Sequence, residues 1–265
     1  MRRFSAEYLQ RTREGMWEDS RAALADLELD SRRRVLDVGC GTGELSRVLD
    51  AESDADVVCV DADVDLLDVA REETGLPAVA GDATRLPFDD DTFDLVVCQA
   101  LLVNLPDPAA AVAEFARVSS ELVAAVEPDN ADVSVDSTVD DEVSLERRVR
   151  EAYLAGVETD VAPGDRVTET FHECGLTDVR SRRYYHEKTV DHPYEEVDLR
   201  DAARKASGAG LADHETELRR ALSTAAYDDL RRAWREMGRT VVDQIRDGTY
   251  RRAEVVPFDV TVGRV

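Results

Sequence analysis

Residues 35–43 read Val-Leu-Asp-Val-Gly-Cys-Gly-Thr-Gly, an apolar strand run that stops in glycines at every second position. A helix opens directly behind it, at Glu44 to Leu49. Such a turn leaves bare backbone N–H groups facing whatever lies above the sheet. Glycine is needed because a Cβ would block close approach and because the turn demands backbone angles that other residues avoid. The pattern marks a nucleotide-type cofactor site. A dinucleotide fingerprint would place its last glycine one residue beyond Gly43, where this chain has Glu44. A nicotinamide enzyme would share the strand, the turn and a later acid, but not this spacing.

Downstream, the apolar runs and turn signals predict a strand over 56–61, a helix over 64–73, a short strand over 77–80, a strand over 93–98, a helix over 107–118 and a strand over 121–127. Strands alternating with helices imply a parallel sheet covered on both faces, with ligands above the strand ends. Residues 132–141 read as an acidic, β-branched linker without periodicity. Helical stretches come next near 145–154 and 165–174, and Gly175 reads as a helix stop. Strands are predicted again over 179–190 and 255–262.

Further motifs come in order after the glycine turn: Asp61 closing the second strand, Gly81-Asp82-Ala83, Leu86-Pro87-Phe88 with the acidic turn Asp89 to Asp91, Phe93-Asp94-Leu95-Val96-Val97, and Leu105-Pro106-Asp107-Pro108. Together they resemble the class I S-adenosylmethionine-dependent methyltransferases, specifically the small-molecule branch called methyltransferase type 11, over roughly residues 30–130. The resemblance implies an α/β, Rossmann-like, doubly wound sheet of seven mostly parallel strands; the chain's own pattern adds an N-terminal helix and, where the family joins its last two strands by a short turn, a helical insertion before the last strand. It implies S-adenosylmethionine as cofactor. Asp37, Gly39, Gly41, Gly43, Asp61, Ala62, Asp82, Ala83 and Gln99 then surround it, with the glycine turn at the methionine half, Asp61 at the ribose and Asp82 at the adenine. An amphipathic helix over 5–27 brings Tyr8, Arg13 and Trp17 as cover or carboxylate contacts, or as core aromatics and a solvated arginine. The chain departs from the family in three places. Arg117-Val118-Ser119-Ser120-Glu121 replaces a Lys-Pro-Gly-Gly turn. Gln99-Ala100-Leu101-Leu102-Val103-Asn104 lacks the usual histidine. No Asn-Pro-Pro-Tyr comes after the fourth strand, which argues against methylation of adenine or glutamine amide nitrogen.

The expected organisation is a helical cover over 1–30, a Rossmann-like core over 31–190, a helical insertion or cap over 191–254, and a final core strand over 255–265. Within the insertion Leu211, Leu218, Leu222, Ala226, Leu230, Trp234, Met237, Val241 and Ile245 form one apolar stripe at helical spacing, with Gly238 as its break and Ala202 to Leu211 as a hinge. The stripe packs on the core, roofs a substrate pocket, or makes a homodimer face. Methyl transfer from a sulfonium is an in-line displacement that positioning and desolvation can drive, so a base is needed only for a protonated nucleophile. His186, His192 and Glu127 are the candidates; the histidines read more readily as ordinary solvated groups, while Glu127 or Asn130, after the fifth strand, reads equally as orienting a substrate or as part of a proline-stiffened loop of solvated acids. Cys40, Cys59, Cys98 and Cys174 lack metal or disulfide spacing and read as small buried hydrophobes, and no metal is expected.

The chain carries 33 basic against 58 acidic residues, a net charge of −25, and its only lysines are Lys188 and Lys205. Acids spread along the whole length suggest a surface adapted to high salt, as in a halophile. Such a surface disfavours nucleic acid, less strongly at about 1 M salt, where the Debye length is ~3 Å. Without a membrane-length apolar run or a signal-peptide core, a cytoplasmic protein is expected. The sequence therefore points to methyl transfer onto a small or medium metabolite. RNA or protein methylation, or a non-catalytic cofactor-binding or partner-binding module on the same fold, remain the alternatives.

Overall fold

The computed structural model describes Ala6, Leu9 and residues 16–265. The chain runs through α1 (Met16–Asp19), β1 (Arg34–Val38), α2 (Glu44–Glu52), β2 (Asp56–Asp61), α3 (Val64–Thr74), β3 (Ala78–Ala80), β4 (Phe93–Gln99), α4 (Pro108–Val118), β5 (Ser119–Pro128) and β6 (Ser134–Ser137). It continues with α5 (Asp140–Gly156), α6 (Arg166–Glu173), β7 (Thr177–Val190), α7 (Glu196–Ser207), α8 (Ala209–Ala212), α9 (Glu215–Ala221), α10 (Thr224–Arg246) and β8 (Arg252–Arg264). The strand order is β3-β2-β1-β4-β5-β8-β6, with β7 also paired to β8. Strands β3, β2, β1, β4 and β5 are mutually parallel, and β8 runs antiparallel to β5. Eight strands rather than seven make the sheet, because part of the expected 132–141 linker forms β6.

Two compact units are present. The first runs to Asp129 and takes in Ala162–His186 and Pro257–Val265; the second comprises Asn130–Val161 and Glu187–Val256. The second unit therefore recruits 130–161 and 187–190 from within the expected 31–190 core, in addition to the whole of the expected 191–254 insertion.

In the first unit the central strands β1, β4 and β5 are buried on both faces, and their side chains alternate between two apolar clusters. Val35, Leu95, Val97, Leu122, Ala124 and Val126 point to one side, where Leu45, Val48 and Leu49 of α2 cover them. Leu36, Val96, Cys98, Val123 and Ala125 point to the other, under Val112, Phe115 and Val118 of α4 and Phe171 of α6. This doubly buried alternation is what a parallel sheet requires. The loop lacking the Lys-Pro-Gly-Gly turn is dispensed with: α4 ends at Val118 and β5 starts at Ser119. Arg117 ties this junction down, bonding Glu114, Asp90 and the Leu86 and Phe88 carbonyls.

The single helix expected over 5–27 is not what the described residues form. Helix α1 ends at Asp19, Ser20 adopts φ −112° and ψ 23°, and 3-10 turns continue over Arg21–Leu27 and Leu29–Ser31. Leu9, Met16, Leu24 and Leu27 are nonetheless buried, as the apolar pattern predicts. Tyr8 and Arg13 lie outside the described residues.

The second unit has its own core. Leu211, Leu218, Tyr227, Leu230, Trp234, Met237 and Val241 pack with Leu145, Ala152, Ala202 and Tyr250. The stripe is thus buried inside this unit, so a dimer through the insertion would have to use other residues. It is also carried on several helices, with Ser223 capping α10 by accepting from the Ala226 N–H. Gly238 does not break α10. A Cβ there would lie 2.4 Å from the Ala206 nitrogen and from the Lys205 carbonyl carbon, so glycine is present because α7 crosses at backbone contact. Gly208 ends α7 in the left-handed conformation, φ +79°. A buried ionic cluster ties the segments together. Glu142, fully buried, accepts from Lys205 and Tyr250 and from Ser137, while Arg252 pairs with Glu146 and Glu254. Burial alone would push the Glu142 carboxyl up, but Lys205, Ser137 and Arg252 together hold it below its ordinary value.

Gly238→Ala tests the helix crossing. Alanine would gain about 1 kcal/mol of helix propensity, but a backbone overlap costs about 1–3 kcal/mol or more. The clash should win, and thermal unfolding of the variant is expected at a lower temperature than wild type.

Candidate cofactor site

The turn after β1 is built by hydrogen bonds to β2. The Gly39 and Cys40 N–H groups both donate to the Val60 carbonyl, at 2.7 and 3.0 Å. The Gly41 N–H donates to one Asp61 carboxylate oxygen at 2.9 Å, and the Asp63 N–H to the other at 2.9 Å. Gly39, Gly41 and Gly43 take φ values of 71°, 57° and 84°, a run of left-handed angles that only glycine adopts without strain. At Gly39 a Cβ would also stand 2.8 Å from Leu101 Cδ1. Asp37, buried beneath, accepts from Ser46 of α2 at 2.5 Å, locking the helix to the strand that precedes it.

Asp37, Gly39, Gly41, Gly43, Asp61, Ala62, Asp82, Ala83 and Gln99 are all at the carboxyl ends of β1 to β4, which are neighbours in the sheet. The Gly81 N–H donates to the Asp61 carbonyl, placing the 81–83 segment against the end of β2. Asp82 is exposed, and its carboxylate accepts from the Thr84 N–H and hydroxyl; these bonds hold its carboxyl below the usual range. Ala83 is buried. Gln99 is buried at the end of β4 and donates to Met16 Sδ at 3.1 Å. Trp17 is buried edge-on to Phe258 at 6.3 Å, and Phe258 is in register with Pro128 at the end of β5.

The three catalytic candidates are placed differently. Glu127, expected to face substrate, is 2% exposed and turned inward. It accepts from the backbone N–H groups of Leu101, Leu102 and Val103 at 3.0, 2.8 and 3.3 Å, and Cys98 Sγ lies 3.7 Å away. Burial raises its carboxyl to about 7, against the pull of these donors. Asn130 likewise spends its amide on the Val161 carbonyl. His186 is buried in β7 of the first unit. His192 belongs to the second unit, exposed and edge-on to Tyr194 at 5.6 Å. Among the described residues no group of His, Cys, Asp and Glu could hold a metal ion. Cys40, Cys59 and Cys98 are buried free thiols.

Sequence reasoning passed over Thr42. It is 3% exposed, and among the described residues its hydroxyl has no hydrogen-bond partner. Buried orphan hydroxyls are rare and cost about 1–3 kcal/mol each. Helix α2 begins one residue beyond Gly43's N-cap position, and no side chain caps it. An uncapped helix start beside a spare hydroxyl suits a carboxylate. Each Asp61 oxygen accepts one N–H and retains a lone pair, so a ribose diol could still donate to it. S-adenosylmethionine carries both groups, and the residues present fit it.

The architecture is that of the α/β methyltransferase fold. Residues 36–121 match a protein family described as a methyltransferase domain. A demethylmenaquinone methyltransferase of Mycolicibacterium gilvum is 43% identical over 99 residues, 37% of this chain and 42% of that protein. That of Renibacterium salmoninarum is 42% identical over 88 residues, 33% of this chain and 37% of its own length. The chain thus matches less than half the length of these relatives. A Bacillus halodurans protein assigned as a methyltransferase shares the fold with a TM-score of 0.52 at 19% identity, over 92% of this chain and 98% of its own. A Haloferax volcanii structure of the Trm112 activator with a methyltransferase gives a TM-score of 0.52 at 18% identity, over 96% and 92%. The matched segment is similar to a methyltransferase domain, which together with the geometry of the glycine turn indicates S-adenosylmethionine as its cofactor.

Thr42→Val removes the orphan hydroxyl and keeps the side chain's shape. The ligand-free variant is expected to melt at or above the wild-type temperature, while a clear fall on calorimetric unfolding would mean that the hydroxyl already has a partner.

Proposed function

We propose that the protein transfers a methyl group from S-adenosylmethionine to a small or medium metabolite by in-line displacement. The observation that carries this reading is the unpartnered Thr42 hydroxyl in an uncapped glycine turn, on the sheet rim that also holds Asp61, Asp82 and Gln99. In this reading Thr42 and the start of α2 take the cofactor carboxylate, Asp61 with Ala62 the ribose, and Asp82 with Ala83 the adenine. When bound, the cofactor supplies a sulfonium methyl with a good leaving group. The chain itself supplies position and a dry surround. Trp17, Phe258 and Tyr184, the last stacked on Phe258 at 5.8 Å, form an aromatic cluster where the end of β5 meets the middle of β8. Aromatic faces suit a sulfonium and an apolar or planar acceptor.

The relatives' names make demethylmenaquinone the first acceptor to try, and the aromatic cluster supports a planar acceptor of that kind. The similarity to those relatives extends over about a third of this chain. We assign no general base: Glu127 is committed to the backbone, and His186 is the histidine to substitute first. The net charge of −25 is read as adaptation to high ionic strength inside a cell. Among the described residues no helix is long and apolar enough to cross a membrane.

Calorimetric titration in molar KCl with S-adenosylmethionine, S-adenosylhomocysteine and NAD tests the reading. Binding of the first two and not the third is expected; binding of NAD alone would overturn it. Asp61→Ala should weaken S-adenosylhomocysteine binding by about 1–3 kcal/mol, the worth of a buried hydrogen bond to a charged group. Unchanged affinity in a folded variant would remove Asp61 from the ribose.

A further inference from the structure

The carboxylate of Glu127 is buried at the end of β5 with an unusual set of partners. Among the described residues these are three backbone N–H groups and the Cys98 thiol, with no cation. The N–H groups belong to consecutive residues, Leu101, Leu102 and Val103, in the turn after β4. This turn leaves the strand abruptly. Ala100 takes φ +49°, a left-handed angle that is uncommon for a residue with a Cβ, while its N–H still donates to the Val126 carbonyl. The Asn104 amide then closes back on the Ala100 carbonyl at 2.8 Å. Held this way, the turn seats Leu101 directly on Gly39, where its Cδ1 fills the space a Cβ would need.

A continuous set of contacts therefore runs from Glu127 through the 101–103 backbone and the Leu101 side chain to the first glycine of the cofactor turn. A carboxylate suits this position better than an amide. Three N–H donors converge on two acceptor oxygens, whereas a glutamine would turn its NH2 toward one of the donors. Burying a charge without a cation is costly, and an apolar residue would instead leave the three buried N–H groups without an acceptor, so the position calls for an acceptor-only side chain.

Building on the methyltransferase reading, we propose that Glu127 is a positioning residue for the cofactor, fixing the Gly39 backbone through the 101–103 turn and Leu101 rather than touching the cofactor or the methyl acceptor. The other titratable groups around it are Cys98 on β4, Asp259 in register on β8 and held by Arg183, and Asp37 on β1, which acts on the same Cys98 thiol. Because burial sets its carboxyl near 7, Glu127 changes charge in the neutral range. Protonation replaces an acceptor by an O–H donor among N–H donors and loosens the turn. Cofactor affinity then rises with pH through this interval. Stability moves the other way. The folded-state value lies above the ordinary carboxyl value of 4.5, so the contribution of Glu127 to stability is fully present below that value and is lost as pH rises through about 7. A purely structural carboxylate would not produce opposite trends of affinity and stability over one pH interval.

The test is titration of S-adenosylhomocysteine into wild type, Glu127→Gln and Leu101→Ala at pH 6, 7 and 8, with melting temperatures measured alongside. Wild type is expected to bind several-fold more tightly at pH 8 than at pH 6. Glu127→Gln should bind about tenfold more weakly than wild type at pH 8, equivalent to one hydrogen bond to a charged group. It should lose the part of the pH dependence that wild type shows in excess, and gain melting temperature relative to wild type as pH rises. Leu101→Ala should weaken binding without changing the pH trend of stability. Wild-type affinity and pH profile retained in Glu127→Gln would overturn the proposal, as would a flat wild-type profile if that variant fails to fold. Absence of S-adenosylhomocysteine binding by wild type at every pH would instead defeat the cofactor reading on which the proposal rests.

Discussion

The Asp61 carboxylate is the clamp around which the cofactor end of the first unit is organised. One oxygen takes the Gly41 N–H and the other takes the Asp63 N–H. A single side chain thereby fixes both the glycine turn after β1 and the entry to α3. The strands beneath are parallel and evenly registered, so their carboxyl ends finish at one level and the polar groups must gather there. Leaving them without partners in a dry sheet core would be prohibitive. The turn resolves this by spending its Gly39, Cys40 and Gly41 N–H groups on Val60 and Asp61, and among the described residues the Thr42 hydroxyl and the start of α2 stay unspent, where the proposed cofactor carboxylate would sit.

The same logic separates two carboxylates that the sequence presents alike. Asp61 and Glu127 each close a strand at the same rim. Asp61 stays partly exposed with lone pairs to spare, whereas Glu127 is enclosed by its own backbone donors. One is available to a ligand, and the other shapes the surroundings of that ligand.

Most of the first unit was legible in the sequence because doubly buried strands leave continuous apolar runs and because the glycine turn dictates a helix directly behind it. The β2 strand falls on Asp56–Asp61 as the pattern predicts, and nine expected cofactor residues gather at adjacent strand ends. The failures have identifiable causes. Gly238 reads as a helix break because sequence cannot show that Ala206 approaches at backbone distance. Residues 134–137 read as linker because β6 pairs only with the start of β8, more than a hundred residues away. Thr42 carries no signal of its own, since a buried hydroxyl is recognised by the bond it lacks. Glu127 reads as a substrate contact because its partners are main-chain groups, which no residue type announces.

The second unit is encoded in two stretches, 130–161 and 187–256, with 162–186 of the first unit between them. Its ionic cluster draws on both: Glu142 and Ser137 come from the earlier stretch, and Lys205, Tyr250 and Arg252 from the later one. Such a unit cannot be gained or exchanged by inserting one contiguous cassette. The later stretch on its own would part Lys205 from Glu142 and Glu146 and leave Arg252 with Glu254 alone. The two stretches are therefore interdependent: a charge change in one has to be matched by its partner in the other, roughly sixty to a hundred residues away along the chain.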